Sequence, residues 1–323
     1  MASRKNTACG LDCYDACKIV VEEGAFPKMS GDVEHPAGNG ALCTFLHKSM
    51  HEEPRIEKAR VSGVEVSLDE AMEAVHKAFK QKDSLLWRGS GNMGVMQEVT
   101  NLFIERVQGH LTQGSLCDGA GEAGILQGRG VNKGLPLEQI KKADSVIIWG
   151  RNVTVTNAHM MPFLEGKKIV VIDPVKTAIA KKADLHVQLQ PRTDYYLAII
   201  LARLAFMEDA QSTQWLEEFA PAYEDFSDFT QEDRIKSILD YIGTDLDEMG
   251  RVLNYLHKQK VVFLVGTGVQ KYSTGASILH AIDSLAASLG LFGREGCGVH
   301  YLSDSKLGFV NPFEVPCKRV SNG

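Results

Sequence analysis

Four cysteines stand within the first 43 residues at the spacing Cys9-x3-Cys13-x3-Cys17-x25-Cys43. Three close thiolates and one distant one form a ligand set for a cubane [4Fe–4S] cluster: the close trio holds one face and a returning loop supplies the last iron. Structural zinc prefers paired C-x2-4-C knuckles and fits less well, and a site that has lost its metal is the remaining reading. The other three cysteines, Cys117, Cys297 and Cys317, are scattered. An odd total of seven in a large chain argues against a disulfide framework, so Cys297 and Cys317 read as structural. Cys117 taken alone reads as a small buried hydrophobe. The alternative is a thiolate stabilised at a helix start, with Gly119, Gly121 and Gly124 letting a bulky cofactor approach the backbone.

The elements that must carry these residues are legible as an alternating pattern. Ser67-Leu-Asp-Glu70 is a capping box, followed by apolar residues at Ala71, Met72, Val75, Ala78 and Phe79 on one helical face. A strand is expected over Ser84–Trp87, then the glycine turn Gly89–Gly94 with Ser90 and Gly91, then a helix over Val95–Val107. Further short apolar runs follow at Ser145–Trp149, Lys168–Ile172, Leu185–Leu189 and Val261–Val265, with helices expected from Asp194 to Met207 and from the glycine turn to Leu289. Short apolar strands alternating with helices predict an α/β fold with a doubly wound parallel sheet of Rossmann type. Ligands of such sheets bind beyond the carboxyl ends of the strands. Gly150, Asn152, Asp173 and the Gly266, Gly268, Gln270 turn fall there. Asp194 also reads as a helix cap, and Asp173-Pro174 as a turn former; both readings are compatible with ligand binding.

A length of 323 residues allows two domains with sizeable cores, although residues 1–60 lack the apolar content for a core of their own. A net charge of −6 argues against nucleic acid as a partner. The most apolar stretch, Tyr195–Met207, is interrupted by Arg203 and is too short to span a membrane. The first residues, Met-Ala-Ser-Arg-Lys-Asn-Thr, carry neither an apolar leader nor a twin arginine, so a cytoplasmic location is expected.

The ordered set CGLDCYDAC, GALC, PRIEKARV, SLDEAMEAV, GSLCDGAGEAG, ADSVIIWGRN, KIVVIDP, ADLHVQLQPRTD, VVFLVGTGVQ and LGLFGREGCGV resembles the molybdopterin-dependent oxidoreductases, from about Cys9 to Val299. That family includes formate dehydrogenases, nitrate reductases and thiosulfate or polysulfide reductases. The resemblance implies a [4Fe–4S] cluster on Cys9, Cys13, Cys17 and Cys43, and a molybdenum or tungsten bound by two pterin guanine dinucleotides. It places Cys117 as the protein ligand of that metal, with Asp118 beside it. It implicates Ser90, Gly91, Gly150, Asn152, Asp173, Asp194, Gly266, Gly268 and Gln270 in holding the dinucleotides, and puts His159 in a segment that often carries a histidine facing the pterin. The implied domains are a cluster domain over 1–60, the first and incomplete part of an α/β domain over 61–135, a doubly wound dinucleotide-binding domain over 136–310, and a tail over 311–323. The implied activity is a two-electron oxidation or reduction of a small molecule, with electrons passing singly through the cluster.

Three features depart from the family pattern. Phe45 stands where many members have Lys or Arg, two residues after the fourth cluster cysteine; His47 and Lys48 are the nearest substitutes. Asp118 follows the metal ligand where formate dehydrogenases usually have His; an acid there moves protons only if burial raises its pKa, so a formate assignment is weakened. Members also run to twice this length, so the chain reads as a fragment, a split subunit or an interrupted gene product. The implied partners are an iron–sulfur electron-transfer subunit or the missing C-terminal half as a separate chain. Two other readings come from related proteins: a pterin-free subunit like the large iron–sulfur subunit of NADH-quinone oxidoreductase, and the molybdenum or tungsten subunit of formylmethanofuran dehydrogenase.

Overall fold

The computed structural model describes residues 3–11, 13, 15–25, 27–51, 56–81, 83–87, 95–113, 117–257, 259–301 and 318–321. Two compact units divide the chain, residues 1–115 with 306–323 and residues 116–305.

The first unit opens with an antiparallel sheet of β1 (Arg4–Ala8), β2 (Lys18–Glu22) and β3 (Lys28–Gly31). Ala8 lies opposite Lys18, so the segment from Cys9 to Cys17 is the loop of a hairpin. The Cys9 N–H donates to the Cys17 carbonyl at 2.8 Å and closes that loop at its base. α1 (Thr44–His51) begins immediately after Cys43. A two-stranded ribbon, β4 (Ala59–Val61) and β5 (Val64–Val66), leads into α2 (Leu68–Gln81). The capping box forms: Ser67 Oγ accepts from the Glu70 N–H at 3.2 Å, and the Glu70 carboxylate accepts from the Ser67 N–H at 2.9 Å.

β6 (Leu85–Leu86) and β7 (His110–Gln113) pair in parallel across α3 (Val95–Arg106). Within the stretch expected as a tail, 311–323, Lys318–Ser321 pairs in parallel with the other side of β7. Lys-Arg-Val-Ser holds one apolar residue, so an edge strand made by backbone pairing leaves no hydrophobic alternation to read.

In the second unit come α4 (Gly119–Arg129), α5 (Glu138–Lys142), β8 (Ser145–Trp149), α6 (Val153–Thr156), β9 (Lys168–Ile172), β10 (Leu185–Val187) and α7 (Asp194–Met207). Four helices follow, α8 (Thr213–Phe219), α9 (Tyr223–Phe229), α10 (Ile235–Ile242) and α11 (Leu246–Leu256), then β11 (Val261–Val265), α12 (Gly275–Ser288) and β12 (Gly298–Tyr301). The strands form one parallel sheet in the order β10-β9-β8-β11-β12, so the direction of winding reverses between β8 and β11. Every residue of β8 and β11 is buried, as the unbroken apolar runs require when helices cover both faces. Ile147, Trp149, Val170, Phe263 and Val265 face the layer of α7, α10, α11 and α12. Val146, Ile148, Val171, Val262 and Leu264 face Ile140, Val153, Met160 and Leu164.

Residues 116–135 belong to this second unit, although the sequence reading groups them with 61–115. The reason lies in α4. A Cβ on Gly124 would fall 2.1 Å from the Ala276 carbonyl oxygen, and one on Gly121 would fall 2.5 Å from Gln270 Oε1. Gly121 and Gly124 serve the contact of α4 with α12 and the turn before it.

Candidate functional site

The cysteine loop of the first unit is short and partly buried. Cys17 is buried, and Cys9, Cys13 and Cys43 are half-buried. A Cβ on Gly38 would touch Cys17 Sγ at 4.0 Å, so the loop that leads back to Cys43 runs against the hairpin loop. Burial pushes the Cys13 thiol up to about 12, and the Asp15 carboxylate, which accepts from Cys13 Sγ at 3.6 Å, adds to this. Burial also pushes Cys17 up to about 11, helped by the charges of Asp15, Cys9 and Cys43. Among the described residues, no group of three or more His, Cys, Asp or Glu side chains is placed to hold a single metal ion. Phe45, His47 and Lys48 all lie exposed on α1.

In the second unit the carboxyl ends of β8 and β11 meet at the point where the winding reverses. Gly150 follows β8 with φ +57°, and a Cβ on it would meet Val269 Cγ1 at 2.5 Å. A Cβ on Gly266 would fall 2.0 Å from the Gly150 carbonyl oxygen. Glycine at both places is therefore demanded by the two strand ends meeting each other. Gly268 differs: its Cβ would have only the Gly150 carbonyl oxygen nearby, at 3.6 Å, leaving room at that point.

Both expected carboxylates sit at this end of the sheet. Asp194, the first residue of α7, is 7% exposed and accepts from the Trp149 indole N–H at 2.8 Å. Burial raises its carboxyl, the Trp149 hydrogen bond opposes this, and the negative charge of Asp173 adds to it. Asp173 follows β9; its Oδ1 accepts from the Val175 N–H at 2.8 Å, and burial raises its carboxyl too. The turn-forming role and the strand-end placement of Asp173 thus hold together. The helix-cap role of Asp194 does not: Thr193 occupies the cap position. Asn152 Oδ1 accepts from Thr154 Oγ1 at 2.6 Å at the start of α6. His159 is half-buried in the 3-10 turn Ala158–Leu164.

Cys117 is exposed just before α4, with Asp118 at the cap position of that helix. The turn after β11 is fastened to it. Gln270, buried, donates from Nε2 to the Cys117 carbonyl at 2.8 Å and accepts from the Gly121 N–H at 2.5 Å. Lys271 Nζ reaches the same carbonyl at 2.6 Å and Cys117 Sγ at 2.8 Å. Ser90 and Gly91, and likewise Cys317, lie outside the described residues.

Sequence reasoning missed three residues here. Lys271 carries no motif of its own. Arg151, 2% exposed, donates to Asn157 Oδ1 and lies 3.2 Å from His300 Nδ1. Burial and the Arg151 charge hold His300 down to about 3, so its imidazole is neutral. The Trp149–Asp194 bond was equally invisible, because an apolar run ending in Trp reads as core.

The family model described as molybdopterin oxidoreductase matches residues 55–313. The chain belongs to this family. The molybdopterin oxidoreductase chain is 26% identical over 326 residues to the probable oxidoreductase YyaE of Bacillus subtilis, covering 93% of the chain and 48% of that protein. It is 22% identical to the F420-dependent formate dehydrogenase subunit alpha of Methanocaldococcus jannaschii, over 91% of the chain and 46% of the relative. It therefore spans about half the length of the curated relatives it matches. Acetylene hydratase from Pelobacter acetylenicus superposes with a TM-score of 0.70 at 16% identity, covering 91% of this chain and 44% of that one. This likeness is one of fold: a mixed α/β architecture with a parallel sheet. No helix among the described residues is long and apolar enough to cross a membrane.

Proposed function

We propose that this molybdopterin oxidoreductase chain is the N-terminal part of a catalytic subunit that holds molybdenum or tungsten on Cys117 and a [4Fe–4S] cluster on Cys9, Cys13, Cys17 and Cys43. The observation that carries the reading is the exposed Cys117 at a helix start, its carbonyl fastened through Gln270 to the turn after β11, where the sheet reverses. The donor set suits a pterin guanine dinucleotide. Asp173 and Asp194 are acceptors for ribose hydroxyls and guanine N–H groups, and Gly268 leaves space beside them. Gln270, Gly150 and Gly266 support the site from behind, since their side chain or missing side chain is taken up by protein.

When bound, the metal supplies two-electron redox chemistry to a small molecule. The chain's own residues bind and orient: Cys117 anchors, the carboxylates read the dinucleotide, and Asp118 stands next to the anchor at the start of α4. In the first unit, buried thiols that are costly to ionise alone gain from cationic iron. A cubane gives each thiolate its own iron, so the four sulfurs need not converge on one point. Relatives named as formate dehydrogenase alpha subunits support an oxidoreductase that works with electron-accepting partners and with the remaining half of its fold, and the family match favours a pterin-holding chain over a pterin-free one. Asp118 in place of histidine leaves the substrate open.

Anaerobic purification with metal analysis tests the proposal. The expected content is about four irons with acid-labile sulfide, plus molybdenum or tungsten and guanine nucleotide released by acid. Cys117→Ser should perturb the molybdenum or tungsten signal and spare the iron. A folded, colourless protein without iron or pterin overturns the proposal.

A further inference from the structure

We infer that Lys271 is a positioning residue that sets the reduction potential of the metal by hydrogen-bonding the Cys117 sulfur. The inference rests on the reading of Cys117 as the metal's protein ligand. Its structural basis is a double contact: the Lys271 ammonium lies 2.8 Å from Cys117 Sγ and 2.6 Å from the carbonyl oxygen of the same residue, 154 positions away in the chain.

The contact is held from both sides. The 3-10 turn Thr267–Gln270 ends one residue before Lys271, and the buried Gln270 side chain ties it to the Cys117 carbonyl and to the Gly121 N–H. The lysine stem therefore starts from a fixed point. Fixing a lysine costs rotamer freedom, and the two acceptors on one residue offset that. The carbonyl is not a metal ligand, so it keeps the ammonium in place whatever the sulfur binds. A sulfur bound to a metal still has lone pairs to accept an N–H.

An ammonium beside a ligand sulfur draws electron density away from it. The sulfur then donates less to the metal, the reduced state is favoured, and the potential rises. As a stability device the pair is minor, because contacts of exposed charged side chains contribute little to folding. Replacing Lys271 should leave the fold intact and report on the metal.

The test is potentiometric titration of the full-chain holoprotein, following the paramagnetic molybdenum or tungsten signal, in wild type, Lys271→Met and Lys271→Arg. The expected result is a lower midpoint potential and an altered signal in Lys271→Met, with Lys271→Arg returning toward wild type. Loss of metal from Lys271→Met and its retention in Lys271→Arg supports the same contact. An unchanged potential and signal in Lys271→Met overturns the inference, and so does loss of metal from both variants. Failure of the underlying reading looks different: wild type holds no molybdenum or tungsten, or Cys117→Ser leaves the signal untouched.

Discussion

Trp149, the last residue of β8, donates its indole N–H to the carboxylate of Asp194, 2.8 Å away and 45 residues later. One hydrogen bond thus joins a strand end to the first turn of α7 and holds a carboxylate at 7% exposure, at a raised pKa. A buried carboxylate of this kind is costly to the fold unless a ligand uses it. Asp194→Asn keeps the shape and the oxygen that accepts from Trp149 but removes the charge. The variant should gain about 1 kcal/mol in urea unfolding at neutral pH, as substitutions that relieve a functional site commonly do. It should also retain less guanine nucleotide after purification. The sign follows from the raised pKa: the folded state holds its proton to higher pH than the unfolded state, so the native protein loses stability as pH rises through that window. A variant less stable than wild type at pH 7 contradicts this account.

The Arg151–His300 pair makes an opposite pH prediction. His300 is held down to about 3 by burial and by the Arg151 charge. An unfolded histidine takes up its proton near pH 6.5. Between those values the unfolded state binds more protons, so stability falls as pH is lowered from about 6.5 toward 4. His300→Asn retains an acceptor for Arg151 and does not titrate. Its stability, measured by denaturant midpoint, should depend less on pH over that range than wild type does. Equal slopes in the two proteins would remove His300 from the explanation.

The α4–α12 contact can be tested by adding one methyl group. The Gly124 Cβ position lies 2.1 Å from a backbone oxygen, which cannot rotate away as a side chain can. Alanine normally favours a helix over glycine by about 1 kcal/mol. Here the clash should dominate, and Gly124→Ala should lose about 1–3 kcal/mol with an unchanged denaturant slope. Alanine at Gly130, which has open space but φ +71°, isolates backbone strain from crowding.

How much of this was legible follows from what each element uses for stability. β8 and β11 are buried along their whole length and β9 over its last three residues, so their apolar runs announce them, whereas the point where the winding reverses depends on which strands pair in space. The capping box at Ser67 is local and was readable from four residues. β12 carries little strand signal: Gly298-Val-His-Tyr301 is short and holds a glycine and a histidine, the latter buried beside Arg151. Lys318–Ser321 joins its sheet through backbone pairing, which leaves no side-chain pattern. Lys271 is one lysine among many until the fold brings it to Cys117. The glycines of α4 are visible in the sequence, but their contact with α12 is not, because close helix packing and cofactor approach ask for the same residue.

The cysteines separate into two classes by surroundings, and substitution should separate them by outcome. Cys297 is 2% exposed within the apolar core that also holds Leu285, Leu291 and Val299. Cys297→Ala removes one buried sulfur, so it should lower stability by about 1 kcal/mol, the usual scale for a point substitution, and leave metal content alone. Cys17 is 7% exposed, but the Asp15 charge and the Cys9 and Cys43 thiols act on its sulfur as well as burial does. If the four cysteines share one cluster as proposed, losing any of them should destabilise the whole group. Cys17→Ser should therefore abolish the brown absorption and most of the iron and sulfide while far-UV circular dichroism of the second unit's helices persists. Iron retained at wild-type level in Cys17→Ser would refute the four-cysteine assignment, and iron lost equally from Cys297→Ala would show that retention follows general stability instead of ligation.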